Sequence, residues 1–286
     1  MQPCSRPAQI VHHFINVSHL RQIIDNTILS TNVDFLIIKD VSSSRFVEIE
    51  SSRRLFGKIR FRRFDKEREI LFITIPTGPH EVLHRSLWRE FSNEMYALNL
   101  TRHWQELGSM TLRSGTPPGG SSGEGDSSGG PKPQRLNGWP TLIVEAGYSQ
   151  TMNKLHNDMR CWFSASNHDV KIILLVKMYL PTKEIHIERW QEVIRQPQGP
   201  ITRSRSALLA QTVPQLVPAL QQRIIIRRND GPPVTYSVLS GALVLDYQLL
   251  FLRLPVPPQK NIIISLQSLR DFADDVWAAL LFPIGS

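Results

Sequence analysis

Apolar positions along this chain recur at two spacings, and the switches between them mark out its elements. Residues 33–40 (VDFLIIKD) and 45–50 (RFVEIE) read as short strands bounded by polar turns. Residues 56–64 (FGKIRFRRF) and 69–76 (EILFITIP) follow, and the charged turn DKER between them predicts a hairpin. From Pro79 onward, Val82, Leu83, Leu87, Phe91, Met95 and Leu98 return near helical spacing, which predicts one long amphipathic helix. Further on, TLIVEAGY predicts a strand, and SQTMNKLHNDMRCWFSAS a helix with Met152, Leu155, Met159 and Trp162 on one face. KIILLVKMYL and KEIHIERWQEV then predict two more strands. A strand, helix, strand succession with largely apolar strands implies a crossover and a sheet covered by helices. QRIIIRR reads as a strand, YSVLSGALVLDYQLLFLRL is ambiguous, and a final helix is expected from about Ser265.

One segment breaks this patterning. Residues 114–138 (SGTPPGGSSGEGDSSGGPKPQRLNG) are dominated by Gly, Ser and Pro, and predict a mobile insertion within one domain. The expected organisation is a single domain over 1–286, with a core at about 33–193, the flexible insertion at 114–138 and a C-terminal extension from 194.

Composition narrows the classes. With 41% apolar and 20% charged residues in 286, the chain has the make-up of a folded globular protein. Its formal charge of +8 favours polyanionic partners. Cys4 and Cys161 give neither a disulfide framework nor a zinc-ligand spacing, so an intracellular compartment, cytoplasmic or nuclear, is expected. The N-terminus lacks a secretory pattern, and the most apolar stretch, at 240–255, is interrupted by Asp246 and Arg253, which excludes a bilayer span.

Glu145 stands out because it sits inside an apolar strand, where an ionised carboxylate needs a partner, a metal or a solvent-facing edge. The string WPTLIVEAGYSQTMNKLHNDMRCWFSASNHDVKIILLVKMYL, with ILFITIPTGPHEVLHRSLWREF before it, resembles a family of fungal uncharacterised proteins of the restriction-endonuclease-like, or PD-(D/E)XK, nuclease superfamily. Family members carry a W-P-T-L-V-I-E-x-G-x-S-x-S segment, then a helix bearing leucine, acid and tryptophan, then an apolar strand.

The resemblance implies an α/β fold in which helices flank a mixed sheet, with Mg2+ bound at the strand bearing Glu145 and phosphodiester hydrolysis of nucleic acid as the activity. Hard Mg2+ takes oxygen ligands and neutralises the charge that develops on phosphorus. Carried over, Glu145 matches the strand acid, Ala146 would offer a backbone carbonyl to the metal, and Glu81 matches the helix acid. The lysine position falls on Gly147, which leaves Lys154 to orient water or phosphate. Lys132 falls where the family Asp is expected, while Glu124 and Asp126 lie in the glycine-rich run. Two functions follow: a metal-dependent nuclease with a degenerate site, or an inactive scaffold of the same fold that binds nucleic acid or a protein partner.

Other constellations each have a bland reading. Lys58, Arg60 and Arg62 alternate along one strand face, as a row that contacts phosphates or as a solvated edge. HEVLH (His80–His84) matches the HExxH zinc pattern literally, but the downstream third ligand of a zinc protease is missing. His12, His13 and His19 read as surface histidines, and Asp158, Arg160 and Trp162 as surface ion pairs beside a core tryptophan. No phosphate-binding glycine loop and no Gly-x-Ser-x-Gly turn is present.

Overall fold

The computed structural model describes residues 11–29, 33–108, 110–113, 122–136, 138–195 and 215–281. Two mixed sheets and six α-helices make up the described part, an α/β architecture.

The first sheet is built from β1 (Val11–His13), β2 (Phe35–Lys39), β3 (Arg60–Asp65), β4 (Ile70–Thr74), β6 (Thr111–Arg113) and β7 (Ser122–Glu124), in the order β1-β2-β4-β3-β7-β6. The second contains β5 (Trp104–Glu106), β8 (Ser127–Pro131), β9 (Leu142–Gly147), β10 (Ile172–Tyr179), β11 (Glu184–Ile194), β12 (Leu216–Asn229) and β13 (Thr235–Leu239), in the order β13-β12-β11-β10-β9-β8-β5. A small hairpin pairs β14 (Leu243–Leu245) with β15 (Ile262–Ile264). The helices are α1 (Val17–Leu29), α2 (Ser43–Ser51), α3 (Gly78–Ala97), α4 (Met152–Ala165), α5 (Tyr247–Phe251) and α6 (Leu266–Leu281). None is long and apolar enough to cross a membrane.

Period-two alternation in the paired strands β9 and β10 places the layers. Leu142, Val144, Ala146, Ile172, Leu174 and Val176 enter the core with Leu83, Leu87 and Phe91 of α3 and Phe272 and Val276 of α6. Ile143, Ile173 and Leu175 face the other way, against Leu155, Met159, Trp162 and Phe163 of α4. Glu145 shares the face of Ile143, so it points toward α4 and not to an edge: it is fully buried. β9 and β10 pair in parallel with α4 between them, as the strand, helix, strand pattern predicts.

Two expectations are corrected, and one element had none. Residues 45–50 form α2 and not a strand: Phe46 and Ile49, one turn apart, are its buried positions, and the Ser42 hydroxyl caps it by accepting from Arg45 N. α1 was not anticipated. The second correction concerns the glycine-rich run, of which 114–121 and 137 lie outside the described residues. Within it, Ser122–Glu124 and Ser127–Pro131 form β7 and β8, and both strands are buried.

Glycine is needed there for close packing. A Cβ at Gly123 would lie 2.8 Å from the Trp162 ring, and one at Gly129 would lie 2.6 Å from Trp104 Nε1. Gly125 and Asp126, between β7 and β8, carry the chain from the first sheet into the second.

Candidate functional site

Where the chain changes sheets, four elements bring charge into the interior. Arg60 and Arg62 come from β3, Asp126 from the crossing, Glu145 from β9 and Asp158 from α4, and each is at most 8% exposed. β3 reaches the site through a β-bulge between Arg60 and Arg63 against β4. The bulge lets Phe61 and Phe64 both enter the first sheet's core while Arg62 turns to the acids.

Arg62 is the centre of the cluster. Its Nη2 lies 2.8 Å from Glu145 Oε2 and its Nε donates to Asp158 Oδ2 at 2.9 Å, with Nη1 3.9 Å from Asp126 Oδ2. Trp162 Nε1, one turn beyond Asp158, donates to the other Glu145 oxygen at 2.5 Å. Asp126 accepts from Ala146 N at 2.8 Å and from Arg60 Nη1 at 3.1 Å. Arg60 also pairs with Glu81 at 2.7 Å. Nearby, Glu124 is held by Arg53, by Phe61 N and by the Thr111 hydroxyl.

Protonation follows from crowding. Burial alone would lower the Arg62 pKa, but Glu145, Asp158 and Asp126 more than offset that and push it up. Burial, reinforced by the repulsion of Asp126 and Asp158, pushes the Glu145 carboxyl up to about 8 despite Arg62 and the Trp162 N–H. Burial opposes ionisation of Asp126 as well, yet His80 and Arg62 hold its carboxyl well below the usual range. Glu145 is therefore the acid of the cluster whose ionisation burial opposes most strongly.

Because the folded pKa of Glu145 is raised, its contribution to stability is complete below the unfolded value of about 4.5 and is lost as pH rises through about 8. The Glu145→Gln variant should lack that component. Urea midpoints measured from pH 5 to 8.5 are expected to fall less steeply in the variant than in the wild type, and parallel profiles would refute the assignment.

The residues predicted from sequence are brought together in part. Glu145 and Ala146 sit in the cluster, and Glu81 reaches it through Arg60 and His80. Lys154 does not join: its Nζ lies 2.7 Å from the centre of the Phe35 ring without a hydrogen-bond partner, and burial pushes its pKa down to about 7. Arg60 and Arg62 are buried counter-ions, so an exposed row with Lys58 does not form; interior acids draw them in. Asp158 belongs to this interior cluster and not to the surface.

Two residues were missed. Asp126, set aside because of its glycine-rich surroundings, is fixed by the Ala146 amide, and Lys132 is not the residue beside Glu145. Lys177 of β10 pairs in register with Gly147, and its Cδ lies 3.4 Å from where a Gly147 Cβ would stand. It donates to Tyr148 O at 2.6 Å, and burial pushes it down to about 8. A lone lysine inside KIILLVKMYL was the available signal.

The acids do not fit Mg2+ as they stand. The ion needs carboxylate lone pairs in near-octahedral array, yet both oxygens of Glu145 and both of Asp126 already face nitrogen donors or cations. A separate group, His80, Glu81 and His84 on α3, has ligating atoms within 4.8 Å of one another and could hold a metal. On the outer side of Arg62 and Asp158 lies a cavity of about 570 Å³, lined also by Arg63, Arg160, Trp139 and Trp162.

No protein-family model matches the chain, and a search of the curated proteins gives no match. Among solved structures, a "putative nuclease belonging to DUF820" from Anabaena variabilis ATCC 29413 is similar, with a TM-score of 0.32 and 15% identity over 51% of this chain and 83% of that one.

Proposed function

We propose that this chain is a nuclease-like protein of the restriction-endonuclease-like class that binds nucleic acid without hydrolysing it at the Glu145 cluster. The observation that carries this reading is Arg62: one buried guanidinium, within 2.9 Å of both Glu145 and Asp158, stands among the acids that a metal would need. A guanidinium neutralises carboxylates but cannot lower the pKa of an attacking water as a divalent ion does. Lys154, another expected catalytic group, is likewise held over an aromatic ring and away from the acids.

The binding side of the proposal draws on charge and on the adjoining cavity. The chain carries +8, and the cavity combines Arg63 and Arg160 with two tryptophans. Guanidinium groups suit phosphates, and aromatic rings suit unstacked bases, so a single strand is the favoured partner.

The test has two arms. Purified protein with Mg2+ or Mn2+ should leave labelled single- and double-stranded DNA and RNA uncut, and Glu145→Ala should behave identically. Fluorescence anisotropy should detect salt-dependent binding of a single-stranded oligonucleotide. The Arg63→Glu/Arg160→Glu double variant should weaken that binding at least about tenfold and reduce the salt slope by about 2. Metal-dependent cutting that disappears in Glu145→Ala would restore the hydrolase reading; unchanged affinity in the double variant would remove the proposed binding surface.

A further inference from the structure

The α3 histidines pose a problem that the acid cluster does not solve. His80 is fully buried, and its ring nitrogens have only long ion-pair contacts, 3.6 Å from Nδ1 to Glu81 Oε1 and 3.4 Å from Nε2 to Asp126 Oδ2, neither with hydrogen-bond geometry. A buried imidazole held this loosely calls for an explanation. The first turn of α3 is set by Thr77, whose hydroxyl accepts from His80 N, with Pro79 following. That turn places His80, Glu81 and His84 around one point. Glu81 Oε1 lies 3.6 Å from His80 Nδ1 and 3.3 Å from His84 Nε2.

Those separations have a chemical meaning. Tetrahedral zinc bound at about 2.0–2.2 Å by nitrogen and oxygen keeps its ligands about 3.4 Å apart. The two distances from Glu81 Oε1 bracket that figure, and the ligating atoms of all three residues lie within 4.8 Å of one another, so a small turn of the imidazoles closes the third edge. The far nitrogens are also supported: His84 Nδ1 is bonded to Ser127 Oγ at 2.8 Å, and His80 Nε2 faces Asp126 Oδ2 at 3.4 Å. With a metal bound, a hydroxyl and a carboxylate at the far nitrogens would hold each ring in the tautomer whose near nitrogen offers a lone pair to the ion.

We infer that His80 Nδ1, Glu81 Oε1 and His84 Nε2 form a three-ligand site for a divalent transition metal, zinc being the best match, with Asp126 and Ser127 as its outer supports. Imidazole nitrogen favours zinc over Mg2+, and three protein ligands leave one position open. Binding displaces a proton from the imidazoles, and it takes from Arg60 the Glu81 oxygen that now lies 2.7 Å from Nη2; Arg60 keeps Asp126 at 3.1 Å. Glu81 acts here as a ligand, so the HEVLH string needs no third residue from downstream. The site is independent of the nucleic-acid reading, since none of its ligands lines the cavity beside Trp139 and Trp162.

The experiment uses the full chain, stripped with chelator and titrated with Zn2+ against a chromophoric competitor, and in parallel with Co2+ read by visible absorption. One equivalent of Zn2+ and a tetrahedral cobalt spectrum are expected, while Mg2+ in excess should displace neither. Glu81→Gln should weaken zinc binding at least about 100-fold, and Ser127→Ala, which touches no ligating atom, by about 10–100-fold. Circular dichroism checks that each variant folds. Ser127→Ala keeps the test decisive should a ligand variant fail to fold. Absence of stoichiometric zinc in the wild type overturns the site, and so does an affinity left unchanged by Ser127→Ala, which would place the metal on exposed histidines such as His13.

Discussion

Replacing Arg62 with methionine is expected to lower the unfolding free energy by about 3–5 kcal/mol, the range for removing one partner of a buried ion cluster. Methionine keeps much of the arginine stem's volume, so the loss isolates the charge. What remains is Glu145, 0% exposed, and Asp158, 4% exposed, without the guanidinium that lies within 2.9 Å of each. The Trp162 N–H still serves one Glu145 oxygen, and Arg63 Nη1 stays 3.6 Å from Asp158, which keeps the loss from being larger.

The triple variant Arg62→Met/Glu145→Gln/Asp158→Asn should recover much of the deficit, because a buried cluster replaced whole by neutral groups is often no less stable than the original. Urea unfolding at pH 7 measures all three proteins. A loss below about 1 kcal/mol in Arg62→Met, or no recovery in the triple variant, would mean that Arg62 is not the counter-charge of this interior.

The same cluster shows where the sequence was legible and where it was not. Strands β9 and β10 and helix α4 were readable because their apolar spacing is set by burial on one face or both, a local signal. Glu145 was visible as an anomaly for the same reason: an acid amid Leu142, Ile143, Val144 and Ala146 stands against the desolvation cost of its charge. Its partners were not visible. Arg62 is 83 positions away in sequence, and a period-two cationic strand reads alike whether its charges meet water or buried carboxylates.

Glycine misled most, because the rule linking Gly and Ser to mobile chain treats the missing side chain as freedom. At Gly123 and Gly129 the missing side chain is space filled by Trp162 and Trp104. Composition cannot separate the two uses of glycine, since the difference lies in residues tens of positions away. The segment 45–50 failed for another reason: Phe46, Val47 and Ile49 satisfy alternation and helical spacing about equally, and the Ser42 cap decided.

Asp126 is expected to be as sensitive as Arg62, and its two simplest substitutions should separate. β8 stops pairing with β9 at Ser127, opposite Val144, so the amide of Ala146 lies beyond the ladder and the Asp126 side chain takes over as its acceptor at 2.8 Å. Asp126→Ala removes that acceptor and the charge together, stranding a buried backbone N–H, Arg60 and the imidazole of His80. A cost of about 3–5 kcal/mol is expected. Asp126→Asn can keep an oxygen on Ala146 N, so its cost reflects mainly the weakened pairing to Arg60 and His80, about 1–3 kcal/mol.

Protection of the Ala146 amide in hydrogen exchange distinguishes the two effects, with loss expected in Asp126→Ala and retention in Asp126→Asn. Should both variants unfold at the wild-type urea midpoint, Asp126 would be a bystander, and the point where the chain passes from one sheet to the other would have to be held by something else. Should the Asn variant lose as much as the Ala variant while the amide stays protected, charge alone would be what this crossing needs. The bond to β9 would then be a consequence of the fold and not one of its causes.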